Sequence, residues 1–196
     1  MIMRITLIRH GKTPGNLEKR YVGRTDEGLS EIGKKELAEK AKSGVYPSVQ
    51  KLIISPMLRC RQSAEIIFGK EPVRDAIVEQ DLREMDFGYF EYKNYKELSG
   101  DVRYQEFINS GGFRDFPDGE TLQGFEDRCV RGFLSAMGQL TVGRDSSVGV
   151  VAHGGTIMAV MNRLCITKKS YYDWMLDNGG FYICDWDGEK LCLKSA

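Results

Sequence analysis

Met3-Arg4-Ile5-Thr6-Leu7-Ile8-Arg9-His10-Gly11 opens the chain with an apolar run that ends on an imidazole and a glycine. The run Met3 to Ile8 is predicted to be a buried strand. It is broken by Arg4 and Arg9 and lacks a small-residue cleavage site after it, so it does not read as a signal peptide. The same pattern recurs near the other end. Ser147 to Ala152 is a second buried strand, and His153-Gly154-Gly155 follows it directly. The chain contains two histidines, and both stand at such strand ends. If the two strands are parallel members of one sheet, both imidazoles emerge at its carboxyl edge, where open α/β sheets bind ligands. A lone histidine at a strand end is more often structural. Two of them, with none elsewhere, favour chemistry, because imidazole is the side chain best suited to proton and nucleophilic work near neutral pH.

Between and beyond these strands the chain alternates short apolar runs with amphipathic stretches, the pattern of an α/β layered domain. Leu29 to Lys42 is predicted as a helix entered at Ser30, with Leu37, Ala38 and Ala41 on its apolar side. Lys51 to Ile54 is a four-residue strand. Ser55-Pro56 looks like an N-cap followed by proline at the first helical position. The helix it opens carries Met57, Cys60, Ala64, Ile67 and Phe68 as its stripe. Ala76 to Val78 reads as a short strand. A long helix begins near Thr121, with Leu122, Phe125, Cys129, Phe133, Met137 and Leu140 at helical spacing. Thr156 to Leu164 is a further helix. Phe181 to Trp186, the Asp187-Gly188 turn and Lys190 to Leu193 form a hairpin.

The stretch Phe87 to Phe116 fits neither period. It is crowded with aromatic residues and interrupted by Gly100, Gly111 and Gly112. It is expected to be an insertion folding over one edge of the sheet. The expectation is therefore a single domain over 1–196, with a cap-like insertion at about 87–120. Tyr89, Phe90, Tyr92 and Tyr95 admit two readings: an apolar wall for a large leaving group, or the small core the insertion needs in order to fold. The second is the better reading for most of them.

Composition narrows the function classes. At 196 residues, the chain is long enough to bury a proper core. Lysine plus arginine equals aspartate plus glutamate, 28 each, so no global field draws in nucleic acid or an anionic membrane. Any anion must be held by a few placed residues. The five cysteines, Cys60, Cys129, Cys165, Cys184 and Cys192, include no C-x-x-C pair, so neither a disulfide framework nor a zinc site is indicated. Cys60 and Cys129 fall on apolar helix stripes, where they pack. No run reaches the length of a membrane span. A cytoplasmic enzyme is the expectation.

Arg9 and Arg59 supply fixed positive charge. Guanidinium groups chelate phosphate oxygens two at a time and stay protonated. Arg59 lies within the first turn of the helix after Pro56, where the dipole disfavours a cation that lacks an anionic partner. That anomaly points to an anionic ligand. Gly154-Gly155-Thr156 leads into a helix whose free N–H groups would face the same anion. A nucleophilic imidazole must be neutral; nearby arginines lower its pKa and a bound phosphate raises it. The sequence leaves open which prevails. An ester also needs a proton donor for its leaving oxygen. Glu84 and Asp86, both in Glu79 to Gly88, are candidates that spacing does not separate, and either reads equally as a solvated loop acid. Metal catalysis is disfavoured: there is no H-E-x-x-H, no Cys/His cluster and no paired-aspartate motif. No cofactor is called for.

Leu7-Ile-Arg-His-Gly-Lys-Thr-Pro-Gly-Asn16 resembles the signature of the histidine phosphatase superfamily, in the branch that includes cofactor-dependent phosphoglycerate mutases. Four further stretches match in order: Gly23 to Gly33, Ser55 to Arg59 with Gln62-Ser-Ala64, Leu82 to Gly88, and Val151 to Gly155. The match spans nearly the whole chain. The resemblance implies a phosphoglycerate mutase-like, three-layer α/β sandwich with a mostly parallel sheet flanked by helices. It implies His10 as the nucleophile that becomes phosphorylated. Arg9, Arg59 and His153 would cradle the phosphoryl group, helped by Asn16, Gly23 and the backbone of Gly154. It also selects Glu84 as the acid and base. Lys12 stands where the family usually has glutamate or glutamine, and Asp86 replaces a commoner histidine; both alter the charge around the substrate.

The mutases of the superfamily usually run longer, so the chain looks more like its compact phosphatases. Among them it most resembles α-ribazole phosphatases of cobamide synthesis, through Arg20 to Asp26 and Pro117 to Leu122. The resemblance thus implies a small-molecule phosphate monoester as partner, with α-ribazole 5′-phosphate as one candidate. A phosphoglycerate mutase-type transferase is the alternative. A non-catalytic phosphoester-binding module is disfavoured, since His10, Glu84 and His153 are all present. A homodimer is admitted by the sequence and not required by it.

Overall fold

The computed structural model describes residues 2–112, 114–140 and 147–195. Its elements in chain order are β1 (Met3–Arg9), α1 (Pro14–Leu17), α2 (Glu31–Lys42), β2 (Lys51–Ile54), α3 (Leu58–Phe68), α4 (Lys70–Arg74) and β3 (Ile77–Val78). There follow α5 (Tyr95–Leu98), α6 (Val102–Asn109), α7 (Leu122–Gly138), β4 (Ser147–Ala152), α8 (Gly154–Leu164), β5 (Phe181–Trp186) and β6 (Leu191–Ser195). The strands form one sheet in the order β3-β2-β4-β1-β5-β6. The pairings β3/β2, β2/β4 and β4/β1 are parallel, while β1/β5 and β5/β6 are antiparallel.

Period-two alternation sorts the strand side chains into two cores. Ile5, Leu7, Ile53, Val148 and Val150 join Phe125, Cys129 and Phe133 of α7 and Ile157 and Met161 of α8 on one face. Ile8, Leu52, Ile54 and Val151 meet Cys60 and Ala64 of α3 and Val73 of α4 on the other. The result is the three-layer sandwich expected from the sequence. Each fully buried Leu, Ile or Phe stabilises this arrangement by about 1.5–3 kcal/mol. A one-residue slip of β1 would carry its buried set to the wrong face, so the packing that fixes the register also fixes where β1 ends.

Parallel register brings the strand exits level. Arg9 pairs with Ala152, and Ile54 with Val151. The His10 N–H donates to Ala152 O at 3.0 Å, and the Ser55 N–H donates to Val151 O at 3.0 Å. Ser55, His153 and His10 therefore leave the sheet side by side. β1 leads toward β2, while β4 leads through α8 to β5 on the opposite side, so the chain diverges at the β4/β1 junction and opens a crevice there.

Two sequence expectations need correction. Ser55 does not cap a helix: α3 starts at Leu58, Met57 at its N-cap makes no side-chain cap bond, and the Leu58 N–H donates to Asp26 Oδ1 at 2.7 Å. The Ser55 hydroxyl is turned instead to His153. The helix expected from Thr156 begins at Gly154, so its first turn reaches the sheet edge itself. The other boundaries agree to within a residue or two, with Ser30 and Thr121 as N-caps accepting from Gly33 and Gly124.

Residues 87–116, the segment expected to be a cap, comprise a 3-10 turn, α5 and α6, apart from Phe113, which lies outside the described residues. Phe90, Leu98, Tyr104 and Phe107 are its buried centre, with Tyr21, Phe87, Tyr89 and Phe116 packed around them. Among the described residues, no helix is long and apolar enough to cross a membrane.

Candidate active site

His10 is buried at the end of β1, and its Nδ1 lies 2.7 Å from the carbonyl of Gly11. A carbonyl can only accept, so Nδ1 carries the proton and Nε2 bears the free lone pair. Burial lowers the His10 pKa well below the ordinary histidine value, and the positive charges of Arg59 and Arg9 add to that. The hydrogen bond to Gly11 opposes the shift without reversing it. The ring is neutral at neutral pH, the form in which an imidazole can act as a nucleophile.

His153 stands at the end of β4 with its ring centre 5.2 Å from that of His10, the planes inclined by 67°. Arg59 Nε donates to its Nδ1 at 3.2 Å. That nitrogen is therefore an acceptor, and Nε2–H donates to Ser55 Oγ at 2.7 Å. Burial, then Arg59, lowers the His153 pKa well below its ordinary value as well. Arg59 is fully buried. Besides His153 it donates through Nη1 to Thr25 O and through Nη2 to Gly23 O, both at 2.9 Å. It thus fastens the 22–25 loop to α3 while its charge acts on both imidazoles.

Arg9 lines the cleft next to His10. Its Nη1 donates to Leu176 O and, at 3.5 Å, to Met175 Sδ. Its Nε is buried without a partner among the described residues, an orphan donor of the kind that a ligand satisfies. Gly154, the first residue of α8, borders the same space, and its N–H has no intrahelical acceptor. Asn16 Oδ1 accepts from the Thr13 N–H at 3.2 Å and from Asn178 Nδ2 at 3.1 Å. That leaves the Nδ2 donors of Asn16 for the cleft that it lines. Gly23 departs from this group. Its N–H donates to Glu91 Oε1 at 3.0 Å and its carbonyl accepts from Arg59, so both backbone groups are engaged away from the cleft. A Cβ there would meet Met85 O at 2.0 Å; the glycine serves the close approach of two loops.

Glu84 lines the same cleft as His10, from the loop after β3. Its Oε1 accepts from the Met85 N–H at 3.0 Å and its Oε2 from the Gly155 N–H at 3.1 Å. Burial pushes its carboxyl above the usual carboxylate range, against the lowering by those two amides and by Arg59 and Arg9. A carboxyl whose hold on its proton is strengthened by burial, in the same cleft as a neutral imidazole, is of the kind that protonates a leaving oxygen. Asp86, the other candidate, is turned outward and pairs with Arg24 at 2.9 Å.

The cleft is a cavity of about 450 Å³ between the sheet edge and the cap. Tyr21, Phe87, Phe107, Phe116, Tyr171 and Tyr172 form much of its wall. The aromatic residues considered from the sequence do not line it: Phe90 is the centre of the cap core, and Tyr92 and Tyr95 are exposed. Tyr89 packs against that core and beneath Lys93 and Arg103. Two arginines at the cavity are already neutralised. Arg20 pairs with Glu18 at 2.6 Å and Glu97 at 2.7 Å, and Arg114 with Glu106 at 2.7 Å.

Sequence reasoning missed Ser55 as the partner of His153, and Asn178, which also donates to His10 O at 3.1 Å. It also missed Arg128 behind Glu84. The one readable signal for Arg128 was a charged residue on the apolar face of α7, three positions after Phe125.

The model of the histidine phosphatase superfamily (branch 1) matches residues 5–196. A Bacillus subtilis (strain 168) protein named "Uncharacterized phosphatase PhoE" is 31% identical over 191 residues, 97% of this chain and 92% of its own length. Among solved structures, phosphoglycerate mutase from Thermus thermophilus superposes with a TM-score of 0.70 at 29% identity, covering 96% of each chain. The α-ribazole phosphatase from Shigella flexneri superposes with a TM-score of 0.80, covering 98% of this chain and 95% of that one; at 23% identity it shows the shared fold alone.

Proposed function

The chain belongs to branch 1 of the histidine phosphatase superfamily, and we propose that it is a phosphomonoesterase that works through phosphorylation of His10 at Nε2. The observation that carries this reading is the tautomer of His10: Nδ1–H is held by Gly11 O, and the ring is kept neutral by burial and two arginines. Nε2 attacks phosphorus, the bond to the ester oxygen breaks, and Glu84 gives its proton to the departing alkoxide. Glu84, now a carboxylate, takes a proton from water; the hydroxide bonds to phosphorus, the P–N bond breaks, and His10 returns neutral with inorganic phosphate released. The Arg9 Nε–H, the Gly154 N–H and the Asn16 amide stabilise the equatorial oxygens throughout, with the positive end of α8 behind them. Arg59 and His153 hold this frame, and Arg59 contributes charge. Gly23 supports the loop that Arg59 fastens.

The leaving alcohol in this reading is bulky, flat and uncharged beyond its phosphate, and α-ribazole 5′-phosphate is the candidate. What supports it is the aromatic wall together with the neutralised Arg20 and Arg114. Neither offers an unpaired cation to a carboxylate of the kind phosphoglycerate carries. Of the three tyrosines in the wall, Tyr21 is hydrogen-bonded to Tyr104 and Tyr172 donates to Gly112 O at 2.6 Å. The Tyr171 hydroxyl has no protein partner among the described residues and is available to a hydroxyl of the leaving group.

The test is leaving-group dependence. Glu84→Gln is expected to lower kcat/KM, which reports the phosphorylation of His10 alone, by about 10²–10⁴-fold on alkyl phosphates and far less on p-nitrophenyl phosphate, whose phenolate departs unprotonated. Equal loss on both would remove Glu84 from its role.

A further inference from the structure

We infer that Arg128, braced by Glu120, is a positioning residue for the general acid: it sets the peptide plane whose N–H holds the Glu84 carboxylate. This rests on the reading of Glu84 given above.

Arg128 lies on α7 with its side chain nearly buried, outside the phosphate-facing cavity. Its guanidinium donates to the Glu120 carboxylate twice, from Nε to Oε1 at 2.8 Å and from Nη2 to Oε2 at 2.7 Å. Its remaining donors collect carbonyls from the loop that carries the acid: Asp81 O at 2.8 Å, Arg83 O at 3.1 Å and Glu84 O at 3.3 Å. Glu120 closes the clamp from the far side by accepting the Asp86 N–H at 2.9 Å. The planar fork of arginine suits this task, and a lysine ammonium would not reproduce it.

Peptide planarity carries the effect to the carboxylate. The carbonyl of Glu84 and the N–H of Met85 belong to one rigid trans peptide and point in opposite directions. Arg128 holds the carbonyl end, and the N–H end donates to Glu84 Oε1 at 3.0 Å. Releasing the carbonyl frees the plane to rotate and withdraws one of the two amides that hold the carboxyl. Thr156 Oγ1, at 3.3 Å from Leu82 O and 3.2 Å from Arg83 O, supports the same loop from α8 but does not reach this peptide. The charged groups that face Glu84 across the cleft, Arg9 from β1 and Arg59 from α3, and the phenol of Tyr171, remain in place when Arg128 is changed.

Arg128→Met should lower kcat/KM on an alkyl phosphate such as β-glycerol phosphate by about tenfold or more, a partial loss of what general acid catalysis contributes. On p-nitrophenyl phosphate kcat/KM should change by less than about threefold, because its phenolate leaves without a proton. Because the Met85 amide favours the ionised form, its withdrawal should also move the basic limb of the alkyl phosphate pH profile upward. Glu120→Gln, which keeps the shape and the acceptor for Asp86, should show the same pattern more weakly and carries the test if Arg128→Met does not fold. Equal slowing of both esters, or no change in either, overturns the proposal. If Glu84→Gln itself fails to separate the two esters, the role of Glu84 falls first and this inference with it; if Glu84→Gln separates them and the Arg128 and Glu120 variants do not, the brace alone is wrong.

Discussion

Ser55 Oγ lies 2.7 Å from Nε2 of His153, while Arg59 Nε occupies the other ring nitrogen of that histidine at 3.2 Å. The two contacts fix both the tautomer and the orientation of a ring that stands against the proposed nucleophile. They also explain why Ser55 is absent from the start of α3. A local cap would have satisfied one amide; the contact actually made satisfies a buried imidazole N–H that has no water to turn to.

Ser55→Ala is expected to leave that N–H with only the weak acceptor Cys60 Sγ at 3.5 Å and to destabilise the fold by about 1–3 kcal/mol. The ring is then free to turn, and kcat/KM should fall by about tenfold. Denaturant unfolding and steady-state kinetics on one preparation check both; loss of stability with unchanged kcat/KM would reduce Ser55 to a packing residue.

The two histidines make stability depend on pH with a definite sign. Both have pKa values lowered by burial in the folded state, so below about pH 6.5 the unfolded chain binds protons that the folded chain refuses. Their contribution is fully present above that pH and is lost as pH falls through it. Glu84, shifted upward by burial, acts in the opposite direction: its contribution is present below the ordinary carboxylate range and is lost as pH rises through its folded value. Thermal unfolding in phosphate-free buffer should show Tm falling from about pH 7.5 toward about pH 5.5, the range that brackets the ordinary histidine value. In His153→Asn the slope should be shallower, whereas an unchanged slope would assign it to other groups.

Tyr171→Phe removes the unpartnered phenol in the cavity wall and little else. KM for α-ribazole 5′-phosphate should rise by about tenfold, near the value of one hydrogen bond with a desolvated partner, while kinetics on p-nitrophenyl phosphate should be unaltered. Parallel change in both substrates would argue against recognition of the leaving group.

The proposed steps of phosphoryl transfer draw their positive charge from Arg9, the N-terminus of α8 and the field of Arg59. Prolonged dialysis against a chelator should therefore leave kcat on alkyl phosphates unchanged. A loss restored by a divalent cation would require a further participant.

The sheet was legible because its strands are short apolar runs whose buried residues alternate between two helical layers. Arg9, His10 and His153 were legible because they sit where those runs stop. Glu84 could not be separated from Asp86 by spacing, since what distinguishes them is burial against Gly155 in one case and pairing with Arg24 in the other. Ser55, Asn178 and the Arg128–Glu120 clamp act through contacts between residues distant in sequence. The residues of the cavity wall were not legible for a related reason, although the favoured reading, that the aromatics near Phe90 form the insertion's own core, holds for Phe90 and Tyr89. Phe90 and its neighbours in sequence build the cap, whereas the wall draws on Tyr21, Phe107 and Tyr171 from three separate segments.

The central claim is that phosphate passes through Nε2 of His10, and trapping that species tests it most directly. Enzyme quenched in base during turnover and examined by phosphorus NMR should show an acid-labile phosphohistidine, located at Nε2 of His10 by peptide mapping and absent in His10→Ala. Phosphate attached at Nδ1, or carried by His153, or undiminished turnover in His10→Ala, would contradict the account.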